Sequence, residues 1–173
     1  RIMPNREKIT PIDEAILARL NRGILLRTGA YKTDDHIVLR SGRHTSEYVA
    51  KALGTTEPTF TEGLGDIIAA HFSRFPVDLV LTTGYSAGLL GHCVARAHPS
   101  RRVVLCGMKG LSAGKRRVRL PAEFQRLIRE GTKVLLVEDL VSSGTTLNLL
   151  INLVEQRGAH VVGVGCLWRR TSV

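Results

Sequence analysis

Residues 133 to 146, KVLLVEDLVSSGTT, carry a hydrophobic strand pattern into two adjacent carboxylates, Glu138 and Asp139, and then into small hydroxyl residues and a glycine. Such a strand delivers the acids to its C-terminal edge. Ser142, Ser143, Gly144, Thr145 and Thr146 then open a helix, where unpaired amides and hydroxyls converge at the positive end and form an anion pocket. Two carboxylates a short distance away would repel that same anion, so they must serve another part of the ligand. Vicinal hydroxyls donate hydrogen bonds to carboxylates. A sugar bearing both a diol and a phosphate is what these residues imply. The competing reading is an acidic turn ahead of a capped helix.

A second glycine turn follows an earlier strand pattern. In GYSAGLLG, residues 84 to 91, Gly84 and Gly88 allow backbone amides to approach an anion closely, although a packing turn would read the same way. The stretch lacks the spacing of a dinucleotide-binding turn. GLSAGKR, residues 110 to 116, is not a P-loop either: three residues separate its glycines where four are needed, and Arg116 stands where a magnesium-holding Ser or Thr belongs. Residues 101 to 120 instead hold Arg101, Arg102, Lys109, Lys115, Arg116, Arg117 and Arg119 with no acid, within a chain of net charge +10. That excess favours a phosphorylated or polyanionic partner, the alternative being a merely solvated tract. Of the histidines, His36, His44, His71, His92, His98 and His160, none lies at metal-ligand spacing with another. His44, in a basic turn, is the one candidate for a place near a ligand, and His71, His92 and His98 read as surface residues of helices. Cys93, Cys106 and Cys166 are too scattered for a zinc site or a disulfide framework and read as buried free thiols.

The elements that must position these residues can be read from periodicity. Thr10 caps a helix with Pro11 at its first position, Asp13 and Glu14 in its first turn, Ile12, Ile16, Leu17 and Leu20 on one face, and Gly23 as its stop. HIVLRSGRHTSEYVA, residues 36 to 50, reads as two short strands around a Ser-Gly-Arg turn, and a helix follows over about 60 to 74. Strands at 77 to 83, 103 to 106, 133 to 139 and 160 to 168 then alternate with helices near 87 to 97, 121 to 129 and 145 to 157, the last ended by Gly158. Alternation of this kind predicts an α/β fold with a central parallel sheet and a site at the strands' C-terminal ends. No linker interrupts the 173 residues, and 43% hydrophobic content suits one domain over 1–173 with a real core. The apolar runs are too short to span a bilayer, and RIMPNREK lacks the apolar segment of a secretory signal, so a cytoplasmic location with no membrane partner is expected.

Four hydrophobics, Glu-Asp, two hydrophobics and Ser-Ser-Gly-Thr-Thr resemble the phosphoribosyl pyrophosphate (PRPP) motif of type I phosphoribosyltransferases. In that family the paired acids hold the ribose 2- and 3-hydroxyls and the following turn holds the 5-phosphate. The resemblance therefore implies a type I phosphoribosyltransferase-like fold with a small N-terminal hood, and PRPP bound by Glu138, Asp139, Ser142, Ser143, Gly144, Thr145 and Thr146, with Thr83, Gly84 and Tyr85 at the pyrophosphate turn. HIVLRSGRHTSEYV resembles the LKSGR-x-SPYF segment of the orotate branch, matching at Leu39, Ser41, Gly42, Arg43, Ser46 and Tyr48, with Arg40 standing for the lysine. GVGCLWRR resembles that branch's last strand, which places Arg169 where an arginine contacts orotate. Arg40, Tyr48 and Arg169 are thus implied base contacts. Lys109, Lys115 and Arg116 are the implied catalytic cations, stabilising charge on departing pyrophosphate together with Mg2+, which is held largely by pyrophosphate and the ribose hydroxyls. The resemblance covers about residues 12 to 170 and implies a homodimer.

This chain also departs from the orotate pattern. MKGLSAGKRRVRLP replaces the family's catalytic loop and its glycine-rich acidic part; Val49 and Ala50 replace stacking aromatics; Ser86 and Ala87 stand where the pyrophosphate turn carries a lysine. Transfer of phosphoribose from PRPP to orotate is the leading expectation. A transferase for a purine or unusual base is one alternative. A PRPP- or nucleotide-sensing regulator that binds RNA or DNA through its basic face is the other, distinguished by a linear fall of log affinity with log salt. Because the acids lie at a strand end, their removal is expected to open no core cavity.

Overall fold

The computed structural model describes residues 14–33, 36–39, 42, 44–99, 102–110 and 116–169. Its centre is a five-stranded sheet of β5 (Leu79–Thr83), β6 (Val103–Lys109), β7 (Arg117–Arg119), β8 (Lys133–Val141) and β9 (His160–Arg169), in the order β7-β6-β5-β8-β9. β5 is parallel to β6 and β8, and β8 to β9, while β7 runs antiparallel to β6. Every residue of β5 is buried, and Val134 to Val137 of β8 have no exposed surface. A parallel strand covered on both faces needs this kind of unbroken apolar run, whereas a half-exposed strand would alternate.

Alternation still decides which face each side chain serves. Leu135 and Val137 join one core with Ile24, Leu64, Ile68, Phe72, Leu90 and Val94; Val134 and Leu136 join the other with Leu79, Leu81, Val104, Leu150 and Val154. The first core is closed by α1 (Glu14–Arg27), α3 (Pro58–His71) and α4 (Tyr85–Ala97), the second by α5 (Thr145–Glu155) and a 3-10 turn at Ala122–Leu127. Glycines let α3 lie close to the sheet: a Cβ on Gly165 would stand 2.6 Å from Ile68 Cγ2.

Ahead of the sheet, β2 (Ile37–Val38) and β3 (His44–Thr45) form an antiparallel pair around the expected turn, where Gly42 takes a positive φ of 78°. β1 (Tyr31–Lys32) pairs with β4 (Tyr48–Val49), and the chain then enters the one-turn helix α2 (Lys51–Gly54). These pieces are the hood.

Several expectations are corrected. α1 passes through Gly23 and ends at Arg27, because Ile24 is needed in the core and the left-handed residue that breaks the chain direction is Gly29, φ 64°. The expected cap and first turn at Thr10 to Asp13 lie outside the described residues. The helix expected at 60 to 74 starts at Pro58, whose fixed φ suits a first turn, and stops at His71. The segment at 121 to 129 is 3-10 rather than α. The sheet is not wholly parallel, since part of the basic loop becomes β7. His98 is a core residue rather than a surface one, with Nε2 3.1 Å from the Phe72 carbonyl. Of the thiols only Cys106 is buried, its pKa pushed up to about 12 chiefly by desolvation, while Cys93 is intermediate and Cys166 exposed.

Candidate active site

The chain leaves β5 through α4 to reach β6 on one side, and leaves β8 through α5 to reach β9 on the other. Strand order therefore reverses between β5 and β8, and a crevice opens beyond their C-terminal ends, the usual ligand site of open α/β sheets. Parallel pairing brings the C-terminal ends of β6, β5, β8 and β9 to this one edge.

Glu138 and Asp139 are here, and they are buried, with only 4% and 1% of their surface exposed. The alternation that sends Leu135 and Val137 toward α3 and α4 carries Asp139 to that side and Glu138 to the α5 side, level with Cys166 on β9. Asp139 Oδ1 accepts from Leu140 N at 2.6 Å and from Lys51 Nζ at 2.8 Å. Asp139 Oδ2 and Glu138 Oε1 have no hydrogen-bond partner among the described residues. Desolvation above all, and then the charge of Asp139, push the Glu138 carboxyl up to about 7; Lys51 opposes both. Buried acceptors are rarely left unpaired, and these two oxygens, like Thr82 Oγ1 and Trp168 Nε1, have no partner within the described residues, so the two carboxylate oxygens can accept from donors outside the chain. Removing the acids would disturb a packed environment, contrary to the expectation drawn from their strand-end position.

Beyond β8, Ser142 and Ser143 lead to Gly144, the α5 N-cap in the left-handed conformation at φ 74°. That geometry is open to glycine at no steric cost, and the helix starts directly after it at Thr145. The hydroxyls of Ser143 and Thr145 lie 2.9 Å apart, and no acid occupies the first turn of α5. An anion here meets the Ser143 and Thr145 hydroxyls and the positive end of an 11-residue helix, whose first amide, that of Thr145, donates to Ser143 Oγ at 3.4 Å. Across the crevice, Thr83 donates its hydroxyl to the Cys106 carbonyl at 2.8 Å, Gly84 caps α4 at φ 82°, and Tyr85 projects with 93% of its surface exposed.

Two basic groups overlook the same edge. Arg169 pairs in register with Val141, two positions past Asp139, and is exposed. Lys109 ends β6, which runs three residues beyond Cys106, the last partner of β5. Lys109 faces Arg117, and Gly107 faces Arg119, so a cationic ribbon overhangs the crevice with Arg116 toward its far end. Like charges placed opposite one another in a ladder are unfavourable without an anion between them. Lys115 and Arg40 lie outside the described residues. Tyr48 is exposed on β4, at the hood rather than in the crevice wall. His44 stacks on His36 with ring centroids 4.8 Å apart, within the β2–β3 pair.

Lys51 is the site residue that sequence reasoning missed, since a lone lysine between alanines carries no motif and lies 88 positions from Asp139. The same holds for Trp168, whose ring packs so tightly on α2 that a Cβ at Gly54 would come within 2.5 Å of it.

A mostly parallel sheet that carries two buried acids at the end of β8 and the N-terminus of α5 just beyond them has groups suited to the hydroxyls and the phosphate of a sugar phosphate. Residues 87–172 match the family model of the phosphoribosyl transferase domain. Over 149 residues the chain is 31% identical to orotate phosphoribosyltransferase of Chlorobium phaeobacteroides, covering 86% of this chain and 72% of that one. It is 30% identical over 148 residues to the Thermotoga maritima protein of the same name, covering 86% and 74%. The fold is similar to that of Mycobacterium tuberculosis orotate phosphoribosyltransferase in complex with inorganic phosphate, at TM-score 0.59 and 18% identity over 87% of this chain and 80% of that one. It is also similar to that of Trypanosoma brucei adenine phosphoribosyl transferase in complex with AMP, pyrophosphate and ribose-5-phosphate, at TM-score 0.63 and 18% identity over 94% of this chain and 69% of that one. The chain belongs to the phosphoribosyltransferase family, alongside orotate phosphoribosyltransferases.

Proposed function

We propose that this protein transfers the phosphoribosyl group of PRPP to orotate, releasing pyrophosphate and forming orotidine 5'-monophosphate. The observation that carries the reading is the pair of unsatisfied buried oxygens, Glu138 Oε1 and Asp139 Oδ2, beside the open N-terminus of α5. A ribose 5-phosphate unit supplies two hydroxyl donors for the first and a dianion for the second. In the reaction the bond from C1 to pyrophosphate breaks, a bond from C1 to the ring nitrogen of the base forms, and that nitrogen gives up its proton. Negative charge grows on the leaving pyrophosphate. Amides after Gly84 and the ribbon cations Lys109 and Arg116, joined by Lys115, would receive it.

Magnesium fits as a companion of the ligand. Among the described residues no three of His, Cys, Asp and Glu gather to hold a metal ion, and the free carboxylate oxygens suit hydroxyl donors, so pyrophosphate and ribose oxygens would supply its coordination. When bound it neutralises pyrophosphate charge.

Arg169 supports the choice of base. A guanidinium at this edge can pair in bidentate fashion with a planar carboxylate, which orotate has and uracil and the purines lack. Arg40 and Tyr48 would approach from the hood. A homodimer is favoured by an apolar strip beside the ribbon, where Tyr85, Leu89, Leu105 and Met108 are exposed together along α4 and β6. No described helix is long and apolar enough to cross a membrane.

The test is a base panel. Purified protein with PRPP and magnesium is given orotate, uracil, adenine, hypoxanthine or nicotinate, and pyrophosphate release is followed. Release that depends on orotate and drops at least tenfold in Arg169→Ala supports the assignment. Turnover of a base without a carboxylate, with orotate inert, overturns the choice of base and keeps the transferase.

A further inference from the structure

The acids of the crevice are tied to the hood by one side chain. Lys51 opens α2, its ammonium lies 2.8 Å from Asp139 Oδ1, and 46% of its side chain remains exposed while the carboxylate is 1% exposed. The backbone of the same residue is held from the other wall of the crevice. Ser86, in the first turn of α4, donates its hydroxyl to the Lys51 carbonyl at 3.1 Å, and Thr55 Oγ1 stands 3.2 Å from Ser86 Oγ and 3.1 Å from the Ala52 carbonyl. Behind α2, Gly54 packs on Trp168 of β9, and ahead of it Ala50 N donates to the Ala30 carbonyl at 2.7 Å. Lys51 is therefore clamped by α4, by β9 and by the β1–β4 pair. Its ammonium reaches the acids from a fixed base rather than from a free surface chain.

The consequence is in which carboxylate oxygens are occupied and which remain open. With Oδ1 of Asp139 filled by Lys51 and by Leu140 N, one buried oxygen on each acid is left without a partner. Burial and the charge of Asp139 both disfavour the Glu138 carboxylate, and Lys51, held fixed beside Asp139, opposes them and so favours Glu138 as an acceptor. We propose that Lys51 is a positioning residue for the sugar: it holds Asp139 through Oδ1 and keeps one oxygen on each acid open for a vicinal diol, and it does so only while α2 is docked against α4. The inference rests on the PRPP reading of the site and adds a residue to it.

The groups that face Glu138 are Asp139 beside it on β8, Lys51 from α2, and Cys166 on β9 with Arg169 further along that strand. Lys51 is the cation that opposes the rise of the Glu138 carboxyl, which otherwise follows from burial and from Asp139. An acid that is protonated donates one hydrogen and loses an acceptor, so affinity for a diol rises as pH climbs through the carboxyl's midpoint. Losing Lys51 moves that midpoint upward.

The experiment measures PRPP binding with magnesium by calorimetry from pH 6 to pH 9 for the intact wild-type chain, Lys51→Met and Lys51→Arg. The phosphate titrations of PRPP are common to all three. The expected result is a loss of at least tenfold in affinity for Lys51→Met near pH 7 that narrows toward pH 9, with Lys51→Arg close to wild type. Lys51 is half exposed, so the Met variant should keep its fold, and circular dichroism checks this. A uniform loss at every pH would overturn the proposal, because it is what a direct ligand contact or a distorted hood would produce. Unchanged binding in Lys51→Met would overturn it while leaving the PRPP reading in place. A wild-type protein that binds no PRPP at any pH would remove the reading itself, and the inference with it.

Discussion

Glu138 is the side chain in which function opposes stability most directly. It is 4% exposed and its carboxyl is pushed up to about 7, first by desolvation and then by Asp139. The unfolded chain releases this proton near pH 4.5 whereas the folded chain holds it to about 7, so stability contributed by this group falls as pH rises through that window. The shift corresponds to about 3 kcal/mol at pH 8. Glu138→Gln keeps the shape and removes the titration. It is expected to unfold at higher denaturant than wild type at pH 8 and at nearly the same concentration at pH 4.5, while losing PRPP affinity. An equal gain at both pH values would show that the buried charge is not the cost. The isostere is the right probe because truncation to alanine would open a cavity in a buried region, contrary to what the strand-end position alone suggested.

The β6–β7 ribbon is the element whose form the basic tract concealed. A run of Lys and Arg without acids reads as a solvated loop, yet Gly107, Met108 and Lys109 pair with Arg119, Val118 and Arg117 and continue the sheet past its edge. The local signal for β7 is weak, since Arg-Val-Arg has one apolar residue and its pairing partner lies elsewhere in the chain. A ribbon overhanging the crevice can place cations on a group whose negative charge grows as pyrophosphate departs. Such contacts act on turnover more than on ground-state binding. Lys109→Ala and Arg116→Ala are each expected to lower kcat by about 10²-fold with a much smaller change in the KM for PRPP. Steady-state rates over a range of PRPP concentrations give the two constants, and unchanged kcat in both variants would mean that the ribbon is only a solvated edge.

At the scale of the molecule, exposed apolar surface and the overhanging ribbon share one side. Tyr85, Leu89, Leu105 and Met108 lie beside the cationic strand pair, so a second copy docked on this strip would bring its own ribbon close to the crevice. Light scattering is expected to give twice the monomer mass, and Leu89→Glu with Leu105→Glu to give the monomer with greatly reduced turnover; a wild-type monomer that turns over fully would remove the dimer. Much of the fold and site was legible beforehand because the signals are local. Apolar runs of strand length alternating with helical periods specify an open parallel sheet, and Glu138, Asp139 and the Ser142 to Thr146 turn are contiguous, so one strand and one helix start bring them together. That Arg169 and the Gly84 turn share this edge follows once the strands are taken as parallel, since parallel pairing alone sends the strand ends there. What depended on distant segments was not legible. The ion pair of Lys51 with Asp139, the packing of Trp168 on Gly54, the burial of both acids and the ribbon formed by β7 each join residues whose neighbours in sequence carry no trace of the partner. Sequence by itself determined which chemical groups stand at the strand ends, because that follows from period and spacing; only the tertiary structure decided how those groups are desolvated and which of their atoms remain free, because both depend on atoms brought close by folding.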